Sequence, residues 1–216
     1  MISCVMPTRC RPQWVKKAVE NWRKQVYLFL PDQCELVIVE DGAPSVKDLA
    51  AECGDGVRYY FLGPRILPFG AKRNAANACC CGDIIAHWDD DDWYQTDRLQ
   101  EQVLLLEAPG VDMVGYRSAH FHDVRSDQVR IYQGGEHDLI DSSLVYRRKY
   151  WLDHMYPPVD KDADGQFIRA AKPHARGVTG LGRMVARRHG ANTDPCLWWD
   201  LAEPAQLTDL PWGYRA

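Results

Sequence analysis

No run of apolar residues in this chain is longer than five, Val26 to Leu30. A helix that crosses a bilayer needs roughly 20, so no membrane span is expected. Met1 to Pro7 is likewise too short for the apolar region of a secretion signal. Charge of one sign is also scarce: 26 basic against 30 acidic residues leave a net of -4. A protein that grips nucleic acid by overall charge looks different. The local basic runs, Arg147 to Lys149 and Arg183, Arg187 and Arg188, have a solvated surface as their usual meaning. The eight cysteines lack the paired spacing of a zinc knuckle, and Cys79, Cys80 and Cys81 are simply adjacent. His120 and His122 with Asp123, and His137 with Asp138, have no third ligand at a sensible spacing. The thiols are therefore expected to be reduced and mostly buried, and the location cytoplasmic. Repeats and low-complexity tracts are missing, so nothing suggests a solenoid or a disordered linker.

What is present is an ordinary globular balance, 46% apolar and 26% charged, over 216 residues. That is enough for one domain, 1–216, with a full core and no staples. Ile2 to Met6, Leu36 to Val39, Val57 to Leu62 and Ile84 to Trp88 read as strands, the second continuously apolar as in a strand covered on both faces. Between them lie helical segments. One opens at Pro12 with a stripe of Trp14, Ala18, Trp22 and Val26 and stops before Pro31. The others are Pro44 to Glu52, Gly70 to Cys81 and Gln95 to Glu107. Strand and helix alternating four times predict an α/β fold with a mostly parallel central sheet flanked by helices. Ligands of such sheets sit beyond the carboxyl ends of the strands. The second half is less regular. Asp112 to Phe121, Arg125 to Tyr132, Ser143 to Tyr146 and Arg183 to Arg188 read as strands of a smaller mixed or antiparallel portion, and Gly165 to Lys172 as a helix. The tail from Glu203 is expected to lie over the domain.

Asp89, Asp90, Asp91 and Asp92 follow an apolar strand directly. Two carboxylates ~4 Å apart repel by about 1 kcal/mol in water and by more near a low-dielectric wall. A helix cap uses one or two of them, so four point to a divalent cation with a taste for hard oxygen, Mg²⁺, Mn²⁺ or Ca²⁺, of which Mn²⁺ or Mg²⁺ is the expectation. On an extended strand end alternate residues share a face, so Asp89 and Asp91 are expected to point one way and Asp90 and Asp92 the other.

The run Asp-Asp-Asp-Asp-Trp-Tyr after a strand, with Asp97-Arg98-Leu99 behind it, resembles the Asp-x-Asp segment of nucleotide-sugar glycosyltransferases with the GT-A fold, family 2 in particular. Val5-Met6-Pro7-Thr8-Arg9, Val37 to Gly42, Gly70 to Ala76 and Gly82 to Ile85 resemble the accompanying segments in order. The resemblance covers residues 2 to about 107. It implies a donor half, 1–110, and an acceptor and catalytic half, 111–216. It also implies roles. Pro7, Thr8 and Arg9 would lie at the base-binding turn, Asp41 would bond the base with Glu40 in support, and Lys72 or Arg73 would face the diphosphate or base. Asp89 and Asp90 would lie on the ribose and donor side. Asp91, with Asp89, would hold the metal, and His189, in the late segment Arg188 to Thr193, would join it. The family places an acidic base before a late helix. Asp160-Lys161-Asp162-Ala163-Asp164 is the candidate here, with Asp164 first and Asp162 second, although relatives more often show Glu-Asp.

The expected activity is metal-dependent transfer of a sugar, from a UDP-sugar by preference, to an acceptor hydroxyl with inversion. The acceptor stays open among soluble glycans, proteins, small molecules and even a modified nucleic-acid base. A nucleotidyltransferase would want a glycine-rich phosphate loop where Arg9-Cys10-Arg11-Pro12 stands. A non-catalytic sugar-nucleotide binding module would not need an intact aspartate run.

Overall fold

The computed structural model describes residues 1–26, 33–190 and 197–214. The first half runs β1 Ile2–Thr8, α1 Pro12–Arg23, β2 Cys34–Glu40, α2 Lys47–Glu52, β3 Val57–Phe61, α3 Phe69–Ala78, β4 Ile84–His87, β5 Trp93–Tyr94 and α4 Arg98–Leu106. The second runs β6 Met113–Tyr116, β7 Ser118–Asp123, β8 Gln128–Gln133, β9 Val145–Arg147, α5 Arg148–His154, α6 Ala163–Ala170, β10 Ala175–Val178, β11 Met184–Arg188, α7 Leu197–Leu201 and β12 Glu203–Ala205. A seven-stranded sheet has the order β10-β6-β9-β4-β1-β2-β3 and draws on both halves of the chain. Strands β3, β2, β1 and β4 are parallel, and β9 is antiparallel to both its neighbours. A second sheet of five strands, β12-β8-β7-β11-β5, leans on it.

The pleat sorts the core. Cys4, Met6, Leu36 and Ile38 face one layer, where Val15, Ala18, Val19 and Trp22 of α1 and Leu99, Val103 and Leu106 of α4 cover them. Val5, Val37 and Val39 face the other, against Ala76 of α3, Tyr150 and Trp151 of α5 and Phe167 of α6. Both faces of the central strands are dry, which is why they read as unbroken apolar runs.

Several expected boundaries move, each because a backbone group is claimed from elsewhere. The helix from Pro12 ends at Arg23, and Val26 is exposed. Val26 donates its N–H to the Thr96 carbonyl and the Gln25 amide bonds the Gln95 carbonyl, so the chain leaves the helix to join the α4 entry. The buried stripe is Val15, Ala18, Val19 and Trp22, not the four-residue spacing that included Trp14 and Val26. Gln95 and Thr96 are not helical for the same reason, and α4 starts at Arg98. The expected strand Asp112 to Phe121 is two strands, in different sheets, broken at Arg117. Of the thiols, Cys4, Cys34 and Cys80 are buried, Cys53 and Cys79 half-buried, and Cys10 and Cys81 exposed; Cys196 lies outside the described residues. The thiols are thus less buried than expected. The tail does lie over the domain: β12 pairs antiparallel with β8, and Tyr214 packs edge-on against Trp93 and His122. Among the described residues no helix is long and apolar enough to cross a membrane.

Gly70, in the first turn of α3, lets that helix meet the segment before α6. A Cβ there would overlap the Pro157 carbonyl oxygen. Gly70→Ala is expected to lower stability by about 2 kcal/mol, the usual scale of an overpacked contact. Urea denaturation measures it, and an unchanged midpoint would mean that the backbone at Pro157 yields freely.

Candidate functional site

Strand register builds the site. β1 and β2 run parallel with Thr8 opposite Glu40, so the next residues on each chain, Arg9 and Asp41, emerge side by side. Arg9 grips Asp41 with two parallel bonds, from Nε and Nη2, each 3.0 Å. Lys72 Nζ adds a third at 2.7 Å and the Leu67 N–H a fourth at 3.0 Å. Burial raises the pKa of Asp41, but the Arg9 and Lys72 bonds outweigh it and bring it to about 2. Lys72 also donates to the Thr8 carbonyl at 2.6 Å. Glu40 is fully buried and turned inward. It accepts from the Cys10 and Val46 N–H groups, Ser45 Oγ and the Tyr59 hydroxyl, which pins the β1 exit to the start of α2. Cys10 itself sits at φ 52, a left-handed turn that lets the chain reverse into α1.

On the other side of β1, Val5 faces His87, which carries Asp90 alongside Thr8. The aspartates do not continue as a strand: Asp90 and Asp91 form a turn. The expected alternation therefore fails. Asp89, Asp91 and Asp92 each place an oxygen within 4.8 Å of the others, and Asp90 stands apart. Asp90 accepts from Thr8 Oγ1 at 2.5 Å and from Arg11 Nη1 at 3.0 Å. Burial, then the charge of Asp91, pushes its pKa up to about 7. Asp92 is raised well above the ordinary range by burial and by Asp91 and Asp89; the bonds from the Arg187 N–H at 3.3 Å and the Tyr94 hydroxyl at 3.4 Å are long, and the Ser142 side chain offsets the rise only in part. Asp91 Oδ2 lies 3.0 Å from Arg11 Nη1 and 3.0 Å from His189 Nε2. His189 stacks on Trp14 of α1, with centroids 4.8 Å apart.

Arg73 is buried and turns both terminal nitrogens to carboxylates, Asp89 at 2.9 and 3.0 Å and Asp141 at 2.5 Å. Asp141 sits on the turn before β9, which the antiparallel pairing of β9 with β4 carries beside the aspartates. It also accepts from the Tyr156 hydroxyl at 3.0 Å, and its carbonyl accepts from His87 Nδ1 at 2.8 Å. Burial raises its pKa, but Arg73 and His87 more than reverse this and hold it far below the usual carboxylate range. Arg98, without exposed surface, lies 3.9 Å from the Tyr94 ring centre and backs the same turn through the Ser142 carbonyl.

These groups surround a cleft of about 250 Å³ beyond the strand ends. Pro7, Arg9, Lys72, Arg73 and all four aspartates line it, and Asp164 stands on its wall near Asp160 and Asp141. Asp164, in the first turn of α6, has its pKa raised by burial and by Asp141. Asp162 is outside the cleft, an exposed residue at φ 59 paired with Arg169 at 2.5 Å. Thr8, Glu40 and Asp41 sit behind the lining, and His189 reaches the cluster through Asp91. Of the loop His189 to Asp194, positions 191 to 194 lie outside the described residues. Sequence reasoning named neither Asp141 nor the Arg187–Tyr214 contact (3.2 Å). A single aspartate in an irregular segment carries no local signal, and Arg11 was visible only as a neighbour of Arg9.

The cluster suits a divalent cation. Its donors are hard carboxylate oxygens, three of them already converge, and burial with the neighbouring charges of Asp91 and Asp89 makes ionised Asp92 costly without a cation.

The sequence profile described as Glycosyl transferase family 2 matches residues 3–165. No curated protein matches the chain by sequence. Among solved structures, TarS 1–349 of S. aureus in complex with UDP superposes with a TM-score of 0.69 at 15% identity, over 87% of this chain and 60% of that one. The mannosyltransferase PcManGT of Pyrobaculum calidifontis, in complex with GDP-Man and Mn²⁺, gives 0.63 at 18% identity, over 91% and 58%. Glucosyl-3-phosphoglycerate synthase of Mycobacterium tuberculosis, in complex with Mn²⁺, UDP and glucosyl-3-phosphoglycerate, gives 0.63 at 16%, over 89% and 72%. The chain thus spans about 60% of the TarS fragment. The mostly parallel sheet with its flanking helices is the GT-A arrangement of those enzymes, and with the profile covering more than half of its length the chain belongs to glycosyltransferase family 2.

Proposed function

We propose that this chain transfers a sugar from a nucleotide-sugar donor, a UDP-sugar by preference, to an acceptor hydroxyl, with inversion and with a divalent metal, Mn²⁺ or Mg²⁺. One observation carries the reading. A single cleft has convergent carboxylates, Asp89, Asp91 and Asp92, on one wall and a separate half-buried carboxylate, Asp164, on another. UDP is favoured over other nucleotides because TarS and the synthase were both solved with it. One domain with two halves that share this cleft, working in the cytoplasm, is the organisation we assign.

Asp89, Asp91 and Asp92 would hold the metal, with His189 beside Asp91. Bound there, a divalent ion neutralises the charge that builds on the leaving diphosphate. The rest falls to the chain's own residues. Asp41 keeps Arg9 and Lys72 in place at the nucleoside end, with Pro7 against the base. Asp164 accepts the proton of the acceptor hydroxyl. That oxygen attacks the anomeric carbon from the face opposite the donor phosphate, and the bond to the phosphate oxygen breaks with its electron pair. Burial suits Asp164 to the task, since a base whose pKa is raised holds the proton more strongly. Arg73, locked between Asp89 and Asp141, positions Asp89 and is not itself the diphosphate's counter-charge.

UDP binding measured by calorimetry should need Mn²⁺, and equal affinity in EDTA would remove the metal from the scheme. Asp91→Asn should abolish most transfer and leave the circular dichroism spectrum unchanged.

Asp164→Asn should lower kcat by about 10²-fold or more and spare the donor KM, as removal of a general base does. Asp162→Asn should leave turnover near wild type because its partner is Arg169 at the surface. A reversal of these two results would assign the proton to Asp162. In the wild type, kcat/KM should fall with decreasing pH as Asp164 takes up a proton, along an acid limb that lies above its ordinary value of 3.8.

Asp141→Asn should destabilise the fold by about 3 kcal/mol, because it leaves a buried guanidinium half paired. Urea titration reads this, and a stability equal to wild type would show that Asp89 alone satisfies Arg73.

A further inference from the structure

The cations that line the cleft are committed in different ways. Lys72 is held by Asp41 and the Thr8 carbonyl, and Arg9 by both oxygens of Asp41. Arg73 touches the convergent carboxylates at Asp89, but Asp141 anchors it from behind. Arg187 bonds the Asp91 carbonyl and the Tyr214 hydroxyl and lies over the Tyr214 ring. Arg11 differs. One nitrogen, Nη1, stands 3.0 Å from Asp90 Oδ1 and 3.0 Å from Asp91 Oδ2. It thus sits on the edge of the group that suits a divalent ion, at the oxygen His189 also contacts. It projects from the residue that precedes α1, after the left-handed turn at Cys10, and its side chain is 12% exposed, toward the cleft.

A guanidinium and a doubly charged ion repel each other strongly at such range. A carboxylate oxygen already shared by Arg11 and His189 has few lone-pair sites left for a metal. Yet Arg11 has a second anchor, Asp90, that is not among the convergent three. It can release Asp91 and stay at the cleft, where its planar fork suits phosphate oxygens.

We propose that Arg11 is the placeholder cation of the metal site: it neutralises Asp91 until a divalent ion arrives, then shifts to bind the donor's diphosphate. This rests on the nucleotide-sugar reading above. The consequence is a pair of effects of opposite sign. Without nucleotide, Arg11 competes with the metal. With nucleotide, it adds to the binding of the metal–diphosphate pair.

Calorimetry separates the two, using Mn²⁺ alone and then UDP at saturating Mn²⁺, on wild type and Arg11→Met. The variant should bind Mn²⁺ alone about tenfold more tightly and UDP about tenfold more weakly, the scale of one charge-assisted contact. Arg11→Gln keeps a donor toward Asp90 and should show the same two changes at smaller size, which guards against a methionine variant that does not fold; thermal melting in EDTA checks each. Unchanged or weaker Mn²⁺ binding, or unchanged UDP binding, in folded variants overturns the placeholder role. A wild type that binds Mn²⁺ but no UDP overturns the donor reading and this inference with it.

Discussion

Four consecutive carboxylates at the end of a buried strand need compensation, and much of the site is arranged around that need. Burial at the β4 exit raises the cost of each charge, and the structure offsets it unevenly. Asp89 receives the fork of Arg73, Asp90 a threonine hydroxyl and Arg11, and Asp91 Arg11 and His189. Asp92 receives long bonds from Tyr94 and the Arg187 N–H and a side-chain bond from Ser142. Where three carboxylates converge, burial and the charges of Asp91 and Asp89 still hold Asp92 well above the ordinary range, so this group has most to gain from a metal.

The same constraint reaches away from the cleft. Arg73 holds Asp89 because Asp141 holds Arg73, and Asp141 is fixed in turn by Tyr156 and His87. Trp88, Tyr94 and Arg98 back the turn from the α4 side, the guanidinium lying against both rings. A buried ion network of this sort adds little net stability by itself, but the loss of one member leaves an unpaired charge in a dry place. It therefore acts as a positioning device. The nucleoside end is built separately: the in-register pair β1–β2 delivers Arg9 to Asp41, and Glu40 ties the turn down from beneath.

Much of the central fold was legible because its signals are local. The unbroken apolar run Leu36 to Val39 stated a strand covered on both faces, and Asp89 to Asp92 stated an acidic strand exit. Boundaries were lost where a distant partner took a backbone group, as when Thr96 drew Val26 out of the first helix and Arg183 accepted the N–H of Gln95. The division of Asp112 to Phe121 between two sheets was lost for a similar reason, since either half alone is a sound strand.

The sequence by itself determined the alternation of strands and helices in the first half, the end of the sheet where a ligand belongs and the residues available there. Residue type and short-range spacing decide those matters. Only the tertiary structure decided which charge meets which. Arg73 finds Asp141 at a separation of 68 residues and His189 finds Asp91 at 98. Only the fold determined that Asp164 and not Asp162 faces the cleft, and that Asp92 and not Asp90 joins Asp89 and Asp91. The physical reason is that a charge interacts through space with whatever the folded backbone brings within a few ångström, and spacing along the chain does not record that distance.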